Sequence, residues 1–248
     1  MRLIVSILFG CAALCCACTK KTAPDPHALT LKVGTNAEFA PFSFIEDHEI
    51  KGFEIDIAQE VCNRLGCKME LRDLPFDALI PELEIGALHF VAAGMSVTPE
   101  REKVVNFSTP YLSANPLVAL YVDEEKTLSF QDLKHLRIVV NEGYIADPYV
   151  SGELGITPLR LQNPTEAMLA LKSKRADVFV TAQSTVAPLI SVEKRVHFAF
   201  FQIEKTSENC ALMISKKYPE VGHSINRVLA EMEGDGTMLK LKTKWQLP

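Results

Sequence analysis

The sequence predicts an α/β protein of two lobes, and two observations support this. Strand-like apolar runs alternate with helical patterns over residues 31–94, and a second such series follows over residues 137–181. This alternation is typical of a largely parallel sheet, so two series indicate two sheet domains. The chain has 248 residues, of which 48% are hydrophobic, enough to bury a core in each domain.

The first series starts with a strand-like run at residues 31–35. Apolar residues at helical spacing then predict a helix from Phe53 to Leu65. Glu54 and Asp56 in its first turn complement the helix dipole, so we expect them to stabilise the fold rather than contact a ligand. The elements expected next are a strand at 69–74, a helix at 77–86 and a strand at 89–94.

The second series has the same alternation, and the chain then returns to the first lobe. The elements expected here are strands at 137–140, 157–161 and 177–181, a helix at 164–174 capped by Asn163, a strand at 210–215 and amphipathic helices up to Trp245. A chain that leaves one lobe and returns must cross twice. We therefore expect lobe 1 at 29–111 and 211–248, lobe 2 at 116–205, and hinge strands near 111–115 and 206–210.

Residues 1–17 are expected to be a signal peptide. The apolar stretch from Leu3 to Ala17 is too short to span a membrane and ends in small residues. Ala17 and Cys18 resemble a bacterial lipobox, in which the cysteine carries a lipid and becomes the mature N-terminus. Residues 18–28 are polar and contain two prolines, which predicts a flexible tether to a membrane.

Charge and cysteine content exclude some function classes. The net charge is −5, and basic residues are scattered among acidic ones, so no nucleic-acid partner is expected. After the leader, Cys62, Cys67 and Cys210 remain, and no spacing among them is typical of a zinc site. Buried thiols are the favoured interpretation, with a bridge between Cys62 and Cys67 as the alternative.

The segment GFEIDIAQEVCNRL at 52–65 is the most specific motif of the chain. Further motifs are GTNAEFAPFSF at 34–44, FDALIPEL at 76–83, GMSVTPEREKVVNFSTPY at 94–111 and GDGTMLKLKTKWQ at 234–246. The first motif fits throughout the signature of the family-3 bacterial extracellular solute-binding proteins, the amino-acid receptors of ABC importers, and the others occur in family order, so the chain resembles this family. The resemblance implies a periplasmic-binding-protein fold, with two lobes that close over a solute.

Arg101 is the sharpest candidate for a ligand contact. Thr98 is expected to cap a helix with Pro99 in its first position, which places Arg101 among free backbone N–H groups. An arginine fork matches a carboxylate, and the resemblance implies that Arg101 grips the carboxylate of the solute. The resemblance also gives Gly94 and Ser96 backbone and hydroxyl hydrogen bonds to the bound amino acid.

The resemblance further implies aromatic walls for the solute at Phe39 and Phe76. Asn36 occupies a place where several relatives carry an aspartate that contacts the solute. Glu38 lies two residues further on, and we expect it on the same side of a strand.

The second lobe departs from the family pattern at two positions. Tyr144, after Gly143, stands where the family has a threonine that binds the solute carboxylate. Ala182 stands where the family has an acid that pairs with the solute ammonium. A buried ammonium without a partner would be costly, so either another residue accepts its hydrogen bonds or the solute is not an ordinary α-amino acid. The candidate acceptors are Glu38, Asn141 and Gln183.

These features predict a monomeric, lipid-anchored receptor in the periplasm or cell envelope. It would capture an amino acid or related small carboxylate by hinge closure and deliver it to an ABC permease in the membrane. No cofactor is implied. Two alternatives remain, which are a lipid-anchored sensor or adhesin and a cyclohexadienyl-dehydratase-like enzyme.

Overall fold

A computed structural model describes residues 29–123, 127–191, 193 and 195–247 of the protein. The predicted signal peptide (1–17) and the whole predicted tether (18–28), with the expected lipidation site Cys18, lie outside the described residues. No helix in the described part of the chain has the length and apolar character needed to cross a membrane.

The strands and helices of the described residues follow the predicted order. The strands are β1 Thr30–Thr35, β2 Glu38–Phe39, β3 Ser43–Glu46, β4 Glu49–Lys51, β5 Lys68–Asp73, β6 Phe90–Val91, β7 Asn106–Phe107, β8 Leu112–Asn115, β9 Leu117–Val122, β10 Ile138–Asn141, β11 Leu159–Leu161, β12 Val178–Ala182, β13 Phe198–Gln202, β14 Glu208–Cys210 and β15 Met213–Ile214. The α-helices are α1 Phe53–Leu65, α2 Leu79–Glu84, α3 Pro99–Glu102, α4 Ala146–Pro148, α5 Pro164–Lys172, α6 Gln183–Ser191, α7 Pro219–Gly234 and α8 Thr237–Lys244. Two 3₁₀ helices, Phe76–Ala78 and Phe130–His135, and a π-helix, Tyr149–Glu153, complete the set.

Two five-stranded sheets form the centres of the two lobes. The first has the order β5-β1-β6-β15-β7, and the second has the order β11-β10-β12-β9-β13. We call the parts of the chain built on them the first and second lobes. In the first sheet β15 runs antiparallel to its neighbours β6 and β7, and the other four strands share one direction. In the second sheet β9 runs antiparallel to its neighbours β12 and β13, and the other four strands share one direction.

The two-lobed α/β prediction is therefore confirmed, and each sheet is largely parallel in strand direction except for one reversed strand. The reason is that strands next to a crossing, such as β9 and β15, enter their sheets from the opposite direction. This depends on how distant segments connect, which the alternation of apolar runs does not reveal.

Strands β8 and β14 pair with each other between the two lobes. Their antiparallel register joins Asn115 to Glu208 and Leu112 to Cys210. An isolated bridge also links Ser96 to Cys210, the last residue of β14, and so attaches this strand pair to the first lobe. The two strands overlap the segments in which the sequence predicts the hinge, and bending there stays a prediction.

Helix α1 packs its apolar face on the first lobe, as its spacing predicts. The buried apolar side chains on this face are Phe53, Ile55, Ile57, Ala58, Val61 and Cys62. The helix ends at Gly66, whose φ of 64° is the left-handed conformation that glycine favours at a C-cap. Cys62, Cys67 and Cys210 are all free thiols in the structure.

Candidate functional site

Arg101 reaches from the first lobe to the second. The hydroxyl of Thr98 accepts a hydrogen bond from the Arg101 backbone N–H at 3.3 Å, and Pro99 is the first residue of α3, as predicted. Nη1 of Arg101 donates to the Ser96 carbonyl oxygen at 2.8 Å. Nη2 donates to the Gly143 carbonyl oxygen, also at 2.8 Å. The guanidinium group is thus fixed in the first lobe by one nitrogen, while the other faces the cleft.

The charge of Arg101 is poorly compensated in this position. Burial lowers the pKa of Arg101, although the nearby carboxyl group of Glu208 acts in the opposite direction. The two hydrogen bonds described above go to neutral carbonyl oxygens, which bind a cation more weakly than a carboxylate does. The site therefore favours an anion.

Three aromatic rings meet beside Arg101. Tyr144 stacks on Phe76 with ring centroids 4.5 Å apart and planes 20° apart. It also meets Phe39 edge to face, at 5.2 Å and 82°. Phe39 in turn stacks on Phe42 at 5.1 Å. Phe39 and Phe76 of the first lobe thus form the walls of a slot, and the ring of Tyr144 from the second lobe lies in it.

The hydroxyl group of Tyr144 is buried and has no hydrogen-bond partner among the described residues. Burial is the main reason that the pKa of Tyr144 is raised, and the negative charge of Glu38 adds to the effect. The phenol is therefore neutral at physiological pH, and its donor and acceptor capacity goes unused.

A polar cluster that the sequence did not predict lies at the crossing strands. Glu208 is 6% exposed and accepts hydrogen bonds from the Ser96 hydroxyl and from Nδ2 of Asn115. Asn115 in turn accepts a hydrogen bond from the Ser184 backbone N–H at 3.0 Å. Burial raises the pKa of Glu208 to about 7, against the opposing effects of the Ser96 hydroxyl and the charge of Arg101. A carboxyl group thus lies beside the predicted ligand contact Ser96.

Glu54 has a role different from the one expected from its place in the first turn of α1. Its side chain is fully buried and accepts hydrogen bonds from the Gly94 backbone N–H and the Tyr111 hydroxyl. Burial raises the pKa of Glu54 to about 7, and the two hydrogen bonds oppose this shift. Glu54 therefore holds two parts of the first lobe in place, the turn at Gly94 and Tyr111 just before β8. These contacts add to the interaction with the helix dipole that its position predicts.

The Gly94 turn needs glycine. Its φ is 65°, and a Cβ atom would lie 2.4 Å from the ring of Phe39. The absence of a side chain thus allows Phe39 to pack against the turn that precedes Ser96 and Arg101.

The remaining predicted contacts are more scattered. Asn36 and Glu38 do not share one strand, contrary to the prediction, because Asn36 lies between β1 and β2. The side-chain amide of Asn36 donates a hydrogen bond to the Leu74 carbonyl oxygen. Glu38 is exposed and accepts a hydrogen bond at 3.2 Å from Asn163 of the second lobe. It therefore faces the opposite lobe.

The side chains of Asn141 and Gln183 have other neighbours in this structure. Nδ2 of Asn141 donates to the Leu161 carbonyl oxygen within its own lobe. Gln183 lines a cavity of about 480 Å³ that the C-terminal Leu247 also lines. Ala182 is buried at the end of β12. A contact of Asn141 or Gln183 with a solute stays a prediction.

The geometry therefore combines an arginine fork, apolar ring faces and a buried carboxyl group between two lobes. A sequence profile of the bacterial extracellular solute-binding proteins, family 3, matches residues 31–248. The chain belongs to this family. The resemblance noted in the motifs is thus confirmed.

Curated relatives of the chain are receptors for amino acids. The arginine-binding extracellular protein ArtP of Bacillus subtilis (strain 168) is 28% identical over 218 residues, which cover 87% of this chain and 85% of the relative. A probable histidine-binding protein of Campylobacter jejuni is 27% identical over 220 residues, covering 88% and 86%. These relatives are binding proteins and not enzymes, and the family is extracellular or periplasmic.

A solved structure shows the same fold. A mutant of the arginine-binding protein ArgBP from T. maritima superposes with a TM-score of 0.80 at 32% identity, covering 87% of this chain and 94% of that one. This member of the solute-binding family thus has the two-lobed fold expected from the sequence.

Proposed function

We propose that this protein captures an amino acid or a related small carboxylate between its two lobes and delivers it to an ABC permease. The observation that carries the proposal is the position of Arg101. Its guanidinium group is anchored on the Ser96 carbonyl oxygen and directs Nη2 into the cleft. A solute carboxylate would replace the neutral Gly143 carbonyl oxygen with a charged acceptor, which makes a stronger hydrogen bond.

Ser96 and Glu208 supply a place for the ammonium group of an amino acid. Because the Ser96 hydroxyl donates a hydrogen bond to Glu208, the lone pairs of its oxygen are available to an N–H donor. The negative charge of ionised Glu208 would support a cation there. We therefore assign to Glu208 the part that the acid missing at Ala182 would otherwise play.

Arginine and histidine are the first solutes to test. Relatives are named for binding these two amino acids, and both carry a flat polar group that suits the ring faces of Phe39 and Phe76. Exposed Glu38, whose charge acts on the ring of Tyr144, would favour a positive side chain in the same slot.

A thermal-shift screen of residues 29–248 against the 20 amino acids tests the proposal. A ligand that binds only the folded state raises Tm, by an amount that grows with its concentration relative to Kd. We expect at least one amino acid to raise Tm in the wild type and to have no effect on Arg101→Ala. If the same shift occurs in both proteins, Arg101 does not hold the carboxylate.

A further inference from the structure

A two-residue segment of the second lobe, Gly143–Tyr144, enters the site that we assign to the solute. It lies in the turn between β10 and α4, where Gly143 has a φ of 77° and the Tyr144 backbone N–H donates to the Asn141 carbonyl oxygen at 3.2 Å. The left-handed glycine lets the chain reverse. The turn thereby directs the Tyr144 side chain out of its own lobe and toward the first.

This segment engages both halves of the site at once. The Gly143 carbonyl oxygen accepts the hydrogen bond from Nη2 of Arg101, at the place of an anionic acceptor. The ring of Tyr144 lies between Phe76 and Phe39, with centroid distances of 4.5 Å and 5.2 Å. An acceptor oxygen and a flat side chain are the two groups that an amino acid would present there.

We propose that Gly143–Tyr144 is an internal occupant of the binding site, which holds the lobes together and which a solute must displace. The proposal rests on the proposed function for the identity of the site. It assigns to Tyr144 control over which solutes bind, since only a ligand with a carboxylate for Arg101 and a flat side chain for the slot replaces both groups.

The fit of the internal occupant is good for the ring and poor for the hydroxyl group. Two ring contacts stabilise Tyr144 in the slot, as aromatic pairs do in this geometry. The hydroxyl group, however, is buried without a hydrogen-bond partner among the described residues, which is unfavourable. The ring contacts keep Tyr144 in the slot, while the unpartnered hydroxyl group makes this position less favourable. A solute can therefore displace the side chain.

A permanent wall of the site would behave in the opposite way when truncated. If Tyr144 were a wall, its removal would take contacts away from the solute and lower the affinity. If Tyr144 is an internal occupant, its removal takes away a competitor and raises the affinity. The sign of the change therefore separates the two roles.

Calorimetry with L-arginine and L-histidine on the wild type, Tyr144→Ala and Tyr144→Phe makes this comparison. We expect Tyr144→Ala to bind at least one of them about tenfold or more tightly than the wild type does. Tyr144→Phe keeps the ring and loses the unpartnered hydroxyl group, so it should bind no more tightly than the wild type. Equal or weaker binding by Tyr144→Ala would show that the ring is a wall and overturn the proposal.

Small-angle scattering without any solute gives a second test that does not depend on the ligand. The ring joins the lobes, so Tyr144→Ala should have a larger radius of gyration than the wild type, whereas Tyr144→Phe should not. An unchanged radius in Tyr144→Ala would contradict the internal occupant. If Tyr144→Ala expands but none of the three proteins binds an amino acid, the internal occupant stands and the proposed solute class fails.

Discussion

Glu54 and Glu208 are two buried carboxyl groups, one bonded to Tyr111 just before β8 and the other to Asn115 at the end of β8. Burial raises the pKa of each to about 7, whereas a glutamate in an unfolded chain titrates near 4.5. Between about pH 4.5 and pH 7, the two carboxyl groups are therefore more protonated in the folded protein than in the unfolded chain. Each group thus contributes stability below about pH 4.5 and loses it as the pH rises through about 7.

We expect the free energy of unfolding to fall between pH 5 and pH 8, by up to about 3 kcal/mol for each of the two groups. Glu208→Gln should remove the part due to Glu208, because the amide does not titrate. Urea denaturation at several pH values measures the slope. Glu49→Gln, on the surface, serves as the control. A Glu208→Gln slope as steep as that of the wild type would contradict the assignment.

Single residues were predictable where the deciding interaction is local. Thr98, Pro99 and Arg101 lie within four positions, so the helix cap could be inferred from the sequence and is present. Glu208 meets Ser96 only because two segments far apart in the chain come together at the isolated bridge between Ser96 and Cys210. In the sequence, Glu208 is marked only as an acidic residue shortly before the apolar run that begins at Cys210.

Gly52, the residue before helix α1, sets the position of the helix beside the candidate site. Gly52 has a φ of 145°, and a Cβ atom there would lie 2.1 Å from the Phe42 carbonyl oxygen. This close approach positions α1, and with it Glu54, against the Gly94 turn.

Gly52→Ala should therefore destabilise the protein strongly, by roughly 3 kcal/mol or more, since backbone strain and a backbone clash add together. Gly66→Ala is the matched control. Its φ is also positive, at 64°, but no atom lies within 4 Å of the added Cβ. We expect it to lose only about 1–2 kcal/mol. Urea denaturation of both variants measures the difference, and equal losses would mean that the clash has no effect.

The order of elements was predictable, and their lengths were less so. The helix at 53–65 was predicted with its observed bounds because thirteen residues carry a clear period. The strand expected at 89–94 is only Phe90–Val91, since the chain turns at Gly94 to present Ser96. The strand expected at 210–215 is divided between β14 and β15, which pair in different sheets.

At the scale of the whole molecule, the two lobes are in contact through side chains as well as through the crossing strands. Arg101 bonds to Gly143, Asn163 bonds to Glu38, and Tyr144 packs on Phe76. At the proposed site, a solute would enter only after these contacts open. The sequence indicated a changed second lobe at Tyr144 and Ala182, but it could not show that the protein fills its own cleft, because that depends on how the lobes meet.

The predicted anchor concerns how the whole molecule is held at the cell envelope. Cys18 follows an apolar leader and a small residue, and we expect it to carry a lipid. Labelling with a radioactive fatty acid in a bacterial host should mark the wild type and not Cys18→Ser. If Cys18→Ser is labelled as strongly as the wild type, Cys18 is not the residue that carries the lipid.

The role of Arg101 is the central claim, and calorimetry with the amino acid that raises Tm most tests it directly. Arg101→Ala should lose about 2–5 kcal/mol of binding free energy, or about thirtyfold to several thousandfold in Kd, because the carboxylate loses a buried charged partner. Arg101→Lys should recover only part, since an ammonium group lacks the fork. Arg175→Ala, on the exposed surface of the second lobe, should bind as the wild type does. Wild-type affinity in Arg101→Ala would contradict the account.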